Sequence, residues 1–138
     1  MQINQATDYA FLATLFLAAR DVHSRVDAQT IAREEKIPMR YLLKIMPVLI
    51  KAGIVKSYRG IGGGYALNGD PAHITLLDIL EAVEGPIALN RCLLDPCLCS
   101  KQGPPHCKIH QALHAIQQRL EADLRSYNLK DLLDQAAT

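Results

Sequence analysis

The sequence predicts a mainly α-helical chain carrying one small β-hairpin, with a long amphipathic helix toward its C-terminal end. Three observations carry this. Apolar residues recur at three- and four-residue spacing in several stretches. One glycine-rich stretch, "RGIGGGY" (Arg59–Tyr65), lies between short segments that read as strands. All four cysteines fall within sixteen positions, Cys92–Cys107, in a proline-rich stretch without periodicity. At 138 residues the chain is one domain, or one domain with an appended element, and is large enough for a core that needs no covalent staple.

Taken in order, Thr7 or Asp8 offers an N-cap for a first helix over about residues 7–20, apolar on most sides and therefore buried. "DVHSRV" reads as a polar connector. Asp27 then caps a short helix with Ile31 and Ala32 inward. A turn at Ile37–Pro38 leads into a third helix from Met39 to Ala52, with Leu42, Ile45, Met46 and Leu49 as its core face and Gly53 as its stop. Pro47 lies inside this helix and predicts a kink, because it removes one backbone donor and crowds the turn at Leu43. Two strands follow around the glycine tip. A fourth helix, capped by Thr75, ends near Gly85–Pro86. Ile109, Leu113, Ile116, Leu120 and Leu124 mark an amphipathic helix of about five turns. Asn128, three residues before Asp131, starts a last short helix.

Charge is balanced in number, 15 basic against 14 acidic, but not in distribution. Lys36 to Tyr65 holds Lys36, Arg40, Lys44, Lys51, Lys56 and Arg59 and no acidic residue, so the remainder is net acidic. A basic block on an acidic body suits an anionic partner. A helix pair followed by a hairpin is the winged helix-turn-helix order, in which the second helix enters the major groove. Arg40 and Lys44 stand near the start of that helix, to reach bases and phosphates. Lys51 and Lys56 suit phosphates, Arg59 a narrow minor groove, and Gly62 and Gly63 a wing tip that approaches the sugar-phosphate backbone. Each feature has a plainer reading: three cations on a helix are commonly a solvated face, and a glycine run can cradle a nucleotide phosphate. The latter lacks the Lys-Ser/Thr and the following helix that a P-loop needs. The combined order favours DNA.

The apolar run Tyr9–Ala19 is too short to span a bilayer, and no secretory signal is visible, so the expected location is the cytoplasm, where thiols stay reduced. The spacing Cys92-x4-Cys97-x-Cys99-x7-Cys107-x2-His110 is not a paired zinc ribbon. Soft thiolates in a loop stiffened by Pro96, Pro104 and Pro105 suit an iron–sulfur cluster. His110 follows Cys107 by one turn and can converge with it. Cys97 and Cys99 alternate and point apart if extended, so only one is expected to ligate. The rivals are buried free thiols, a dithiol–disulfide switch and zinc. A cysteine enzyme ranks last: Lys101 and Lys108 are near, but no nucleophile–base pattern is visible. His106 and His114 are read as solvent-exposed.

"INQATDYAFLATLFLA", "IPMRYLLKIMPVLIKAGIVKSYRGIGGGYAL" and "RC…C…HCKIHQAL" together resemble the IscR/NsrR-type (Rrf-type) family of winged-helix transcriptional regulators over nearly the whole chain. The resemblance implies no enzyme activity, a homodimer paired through the long helix, a partly palindromic double-stranded DNA operator, and an iron–sulfur cluster (2Fe–2S or 4Fe–4S) that tunes DNA binding. By position it assigns Cys92 and Cys107 to the cluster, with Cys99 favoured over Cys97 as the third thiolate. The fourth ligand is His110 or Asp8, the latter supplied from the partner subunit. Arg40 and Arg59 match DNA-contact positions; Leu43 stands where a polar reader can occur. The implied organisation is a DNA-binding unit over 1–85, a cluster loop over 86–108, and a dimerisation helix with the last short helix over 109–138. The competing functions are a cluster-free thiol regulator and a partner-binding module docking through the long helix.

Overall fold

The structure, a computed structural model, describes residues 2–21, 24–95 and 107–135. Helix α1 (Gln5–Ala18) is the centre of the molecule: Ala10, Ala13, Phe16 and Leu17 are buried, with Tyr9, Phe11, Leu12 and Leu15 packed around them. Its cap is Asn4, whose side chain accepts the Thr7 N–H at 2.8 Å, and not Thr7 or Asp8. Thr7 is enclosed within the first turn, where its hydroxyl donates to Glu84 Oε2 at 2.6 Å, so the helix starts before it. Asp8 is exposed in that first turn.

Helix α2 (Ala28–Glu35) is capped by Asp27 as expected. Hydrogen bonds from the Thr30 side chain and backbone hold the Asp27 carboxyl below its ordinary range. The cap therefore adds stability above the unfolded-state carboxyl pKa and loses it as pH falls through the lower folded value. α2 ends at Lys36 in the left-handed region (φ 54°), a turn that swings the chain into α3 (Met39–Lys51). Leu42, Ile45, Met46 and Leu49 are all buried. α3 runs through Pro47 without interruption; Pro47 is exposed, so its ring meets solvent and not the core.

Strands β1 (Val55–Tyr58) and β2 (Gly64–Leu67) pair antiparallel, with Val55 opposite Leu67 and Tyr58 opposite Gly64. Val26 adds a third strand position by exchanging two hydrogen bonds with Tyr65, at 2.9 and 2.7 Å. The stretch read as a polar connector is thus partly sheet. A short 3-10 turn (Pro71–His73) leads into α4 (Leu76–Glu84). Thr75 and Asp78 form a reciprocal capping box at its start. The Thr75→Ala variant is expected to lose about 1 kcal/mol, seen as a lower urea midpoint at unchanged slope.

The cysteine segment is not wholly irregular: Arg91–Leu94 forms a four-residue helical turn, α5, capped by Asn90. α6 (Lys108–Arg125) is the long amphipathic helix. Its Leu120 and Leu124 pack on a small cluster of Leu77, Leu80 and Ile87, whereas Ile109 and Ile116 on the same stripe are 65% and 44% exposed. α7 (Leu129–Asp134) turns back onto the core. Leu129 is buried there, its N–H bonds Ile74 C=O, and Thr75 bridges Asn128. This last helix packs with α1 and with the Pro71–His73 turn.

Candidate nucleic-acid interface and sulfur centre

The core face of α3 dictates its outer face. With Leu42, Ile45, Met46 and Leu49 inward, Arg40, Leu43, Lys44, Pro47, Val48 and Lys51 are left exposed along the opposite side. Arg40 and Lys44 are one turn apart and Lys51 two turns further, a cationic row with Leu43 (53% exposed) between the first two. The Arg40 guanidinium lies 5.1 Å from the Tyr41 ring centroid, and Tyr41 packs against Tyr9 of α1.

The hairpin carries the next two cations. Lys56 is half-buried on β1 and Arg59 is exposed just beyond it. The tip closes through the Gly63 N–H to Gly60 C=O bond at 3.0 Å, with Gly62 at φ 78°. Ile61 projects fully into solvent at this tip. Nothing in the sequence singles out Ile61 among the glycines around it. Arg25, in the stretch read as a connector, places its guanidinium carbon 3.8 Å from the Tyr58 ring centroid. The alternation Arg25-Val26-Asp27 was the available signal for a strand there.

The sulfur centre draws on both limbs of the cysteine segment. α5 buries Cys92, and just before it the Leu89 N–H donates to Gln117 Oε1 of α6 at 3.0 Å, tying the two elements together. Cys107 is the N-cap of α6, its Sγ accepting the His110 N–H at 3.4 Å. The His110 ring turns toward Cys92 instead, with Nδ1 3.2 Å from its Sγ. His114, one turn on, lies with its ring parallel to that of His110 at 6.1 Å. Cys92, Cys107 and His110 are thus brought together. Asp8 is exposed on α1 and is not among their hydrogen-bond partners. Cys97, Cys99 and His106 lie outside the described residues. Among the described residues no group of three or more His, Cys, Asp or Glu side chains is arranged to hold a metal ion. The donor chemistry, two sulfurs and an imidazole, fits an iron–sulfur or zinc ion once a further ligand joins from residues 96–106 or from a second subunit. Among the described residues no helix is long and apolar enough to cross a membrane.

Comparison with known proteins agrees with this architecture. A family model described as Rrf2, iron-dependent transcriptional regulator, matches residues 3–135. The HTH-type transcriptional regulator NsrR of Geobacillus kaustophilus is 33% identical over 100% of this chain and 93% of its own. The HTH-type transcriptional regulator IscR of Xenorhabdus nematophila is 29% identical over 96% and 79%. Among solved structures, CymR, the global cysteine regulator of B. subtilis, superposes with a TM-score of 0.81 at 26% identity, covering 99% of both chains. The IscR of T. potens gives 0.78 at 26% identity over 100% and 93%.

Proposed function

The chain belongs to the Rrf2 family of transcriptional regulators, with a DNA-binding winged-helix fold and no enzymatic role, and from that premise we propose that it is a homodimeric repressor controlled by an iron–sulfur cluster. The proposed ligands are Cys92, Cys107, His110 and one of Cys99 and Cys97, with Asp8 of a partner subunit as the alternative to His110. The observation that carries the reading is the 3.2 Å approach of His110 Nδ1 to Cys92 Sγ, two donors eighteen residues apart in sequence, beside Cys107 at the same helix start.

A bound cluster would supply a centre whose charge and ligation respond to oxidants, nitric oxide or iron supply. The chain's own residues would convert that into a change at DNA. Cys92 and Cys107 stand at the two ends of the cysteine segment, so holding one group in common fixes the distance between α5 and α6. α6 packs on α4 through Leu120 and Leu124, and α4 packs on α1 and α3. A change in the α5–α6 spacing would therefore tilt the unit that presents Arg40, Lys44, Lys51, Lys56, Arg59 and the Gly62–Gly63 tip. The exposed Ile109 and Ile116 support a homodimer through α6, because a second copy would bury them. The domain division of 1–85, 86–108 and 109–138 is proposed as this division of labour, in the cytoplasm.

The test is anaerobic purification with iron and acid-labile sulfide analysis. The expected product is coloured, with charge-transfer absorbance in the visible and both elements present. A colourless protein without iron or sulfide would overturn the cluster. The second reading, a cluster-free thiol regulator, draws on the resemblance to the B. subtilis cysteine regulator; it requires a reversible intramolecular disulfide, read by mass spectrometry.

A further inference from the structure

Arg25 stands outside the acid-free basic block, yet the fold delivers it to the wing. Val26 pairs with Tyr65, and Tyr65 pairs with Ser57. These three residues share one row of the sheet and therefore one face, and Val26 and Tyr65 pack on the core. Their sequence neighbours Arg25, Lys56 and Tyr58 take the opposite, outer face. The contacts agree: the Arg25 guanidinium lies 3.8 Å above the Tyr58 ring and Lys56 Nζ lies 5.8 Å from the same ring. The register sets Arg25 level with Ala66, the partner of Lys56.

Two cations thus converge on one aromatic ring. Neither forms an ion pair with a described carboxylate. Asp27 shares this face, but its carboxylate is engaged by the Thr30 N–H of its own helix at 3.1 Å. A guanidinium held over a ring by its central carbon has N–H groups left to form the fork that fits two oxygens of a phosphate.

We propose that Arg25, seated on Tyr58 and assisted by Lys56, is a binding site for a DNA backbone phosphate on the outer face of the wing. The inference rests on reading the chain as a DNA-binding protein and extends the interface beyond the helix and the wing tip. A phosphate contact adds affinity without sequence preference, so the operator need not be known. The probe is a fluorescent 30-base-pair duplex of mixed sequence, titrated by anisotropy with the full-length protein at several salt concentrations.

Arg25→Gln is expected to weaken binding about three- to tenfold and to reduce the slope of log K against log salt by about one. Arg25→Lys is expected to keep the slope and lose part of the affinity, because lysine lacks the planar fork. Tyr58→Phe should match wild type, and Tyr58→Leu should approach Arg25→Gln. Arg25 is exposed and Tyr58 half-buried outside the main core, so thermal melts of the four variants check that the fold is retained. If wild type binds and Arg25→Gln matches it in affinity and slope, this inference alone falls. If wild type fails to bind the duplex at any salt, the DNA reading and this inference fall together.

Discussion

The Gly64→Ala variant is expected to be less stable than wild type by about 2–4 kcal/mol, seen as a large drop in denaturant midpoint. A β-carbon added at Gly64 would stand 2.6 Å from the Val26 carbonyl oxygen and 2.7 Å from its carbonyl carbon. Both obstacles are backbone, and they belong to the strand that pairs with β2, so they cannot swing aside as a side chain would. The residue also holds φ 151°, a conformation that side-chain-bearing residues rarely adopt. Relief requires Val26 to separate from Tyr65, which removes two hydrogen bonds and carries Arg25 away from Tyr58. DNA affinity is therefore expected to fall together with stability. Gly62→Ala is the control. It too has positive φ, at 78°, but nothing lies within 4 Å of the added carbon. It is expected to cost only about 1 kcal/mol, the backbone penalty alone. Equal losses at the two positions would show that steric closure against Val26 is not what glycine serves at position 64.

The same comparison shows why parts of the fold were legible and others not. The core face of α3 is a local periodicity, so Leu42, Ile45, Met46 and Leu49 could be placed inside from spacing alone. Asp27, Thr75 and Asn128 were readable as caps because each bonds a backbone group three residues ahead. Asn4 has the same chemistry, but it lies before the apolar run that marks the helix, and Thr7 and Asp8 beside that run are capping types as well. Val26 was unreadable as strand because its partner, Tyr65, is 39 residues away and the pairing is a single bridge. α5 was missed for a related reason. Four residues cannot nucleate a helix unaided, and Arg91–Leu94 holds its turn where Cys92 is buried and Leu89 is bonded to Gln117. Spacing set His110 one turn after Cys107, and the family resemblance joined Cys92 to them. They did not show that the His110 ring would face Cys92, leaving its backbone N–H for Cys107.

That division of contacts sets the second large expected effect. Cys92→Ala should yield protein with essentially no iron or sulfide after anaerobic purification, with its helical circular dichroism retained. Cys92 is buried, so the substitution leaves a small cavity, but it lies on a four-residue turn apart from the main core of α1, α3 and α4. Loss of the group and loss of the fold are therefore separable. His110→Ala tests the fourth position. Its Nδ1 already stands 3.2 Å from Cys92 Sγ, so little rearrangement is needed for both to bind one metal centre. The expected result is a changed visible spectrum and faster loss of iron in air for His110→Ala, with Asp8→Ala indistinguishable from wild type. The reverse pattern would place the fourth ligand on Asp8, which is exposed on α1 and would have to come from the second subunit. In that case dissociation of the dimer on dilution should release the iron. Cys97→Ala against Cys99→Ala then settles the third sulfur: the expected loser of iron is Cys99→Ala, with Cys97→Ala still coloured.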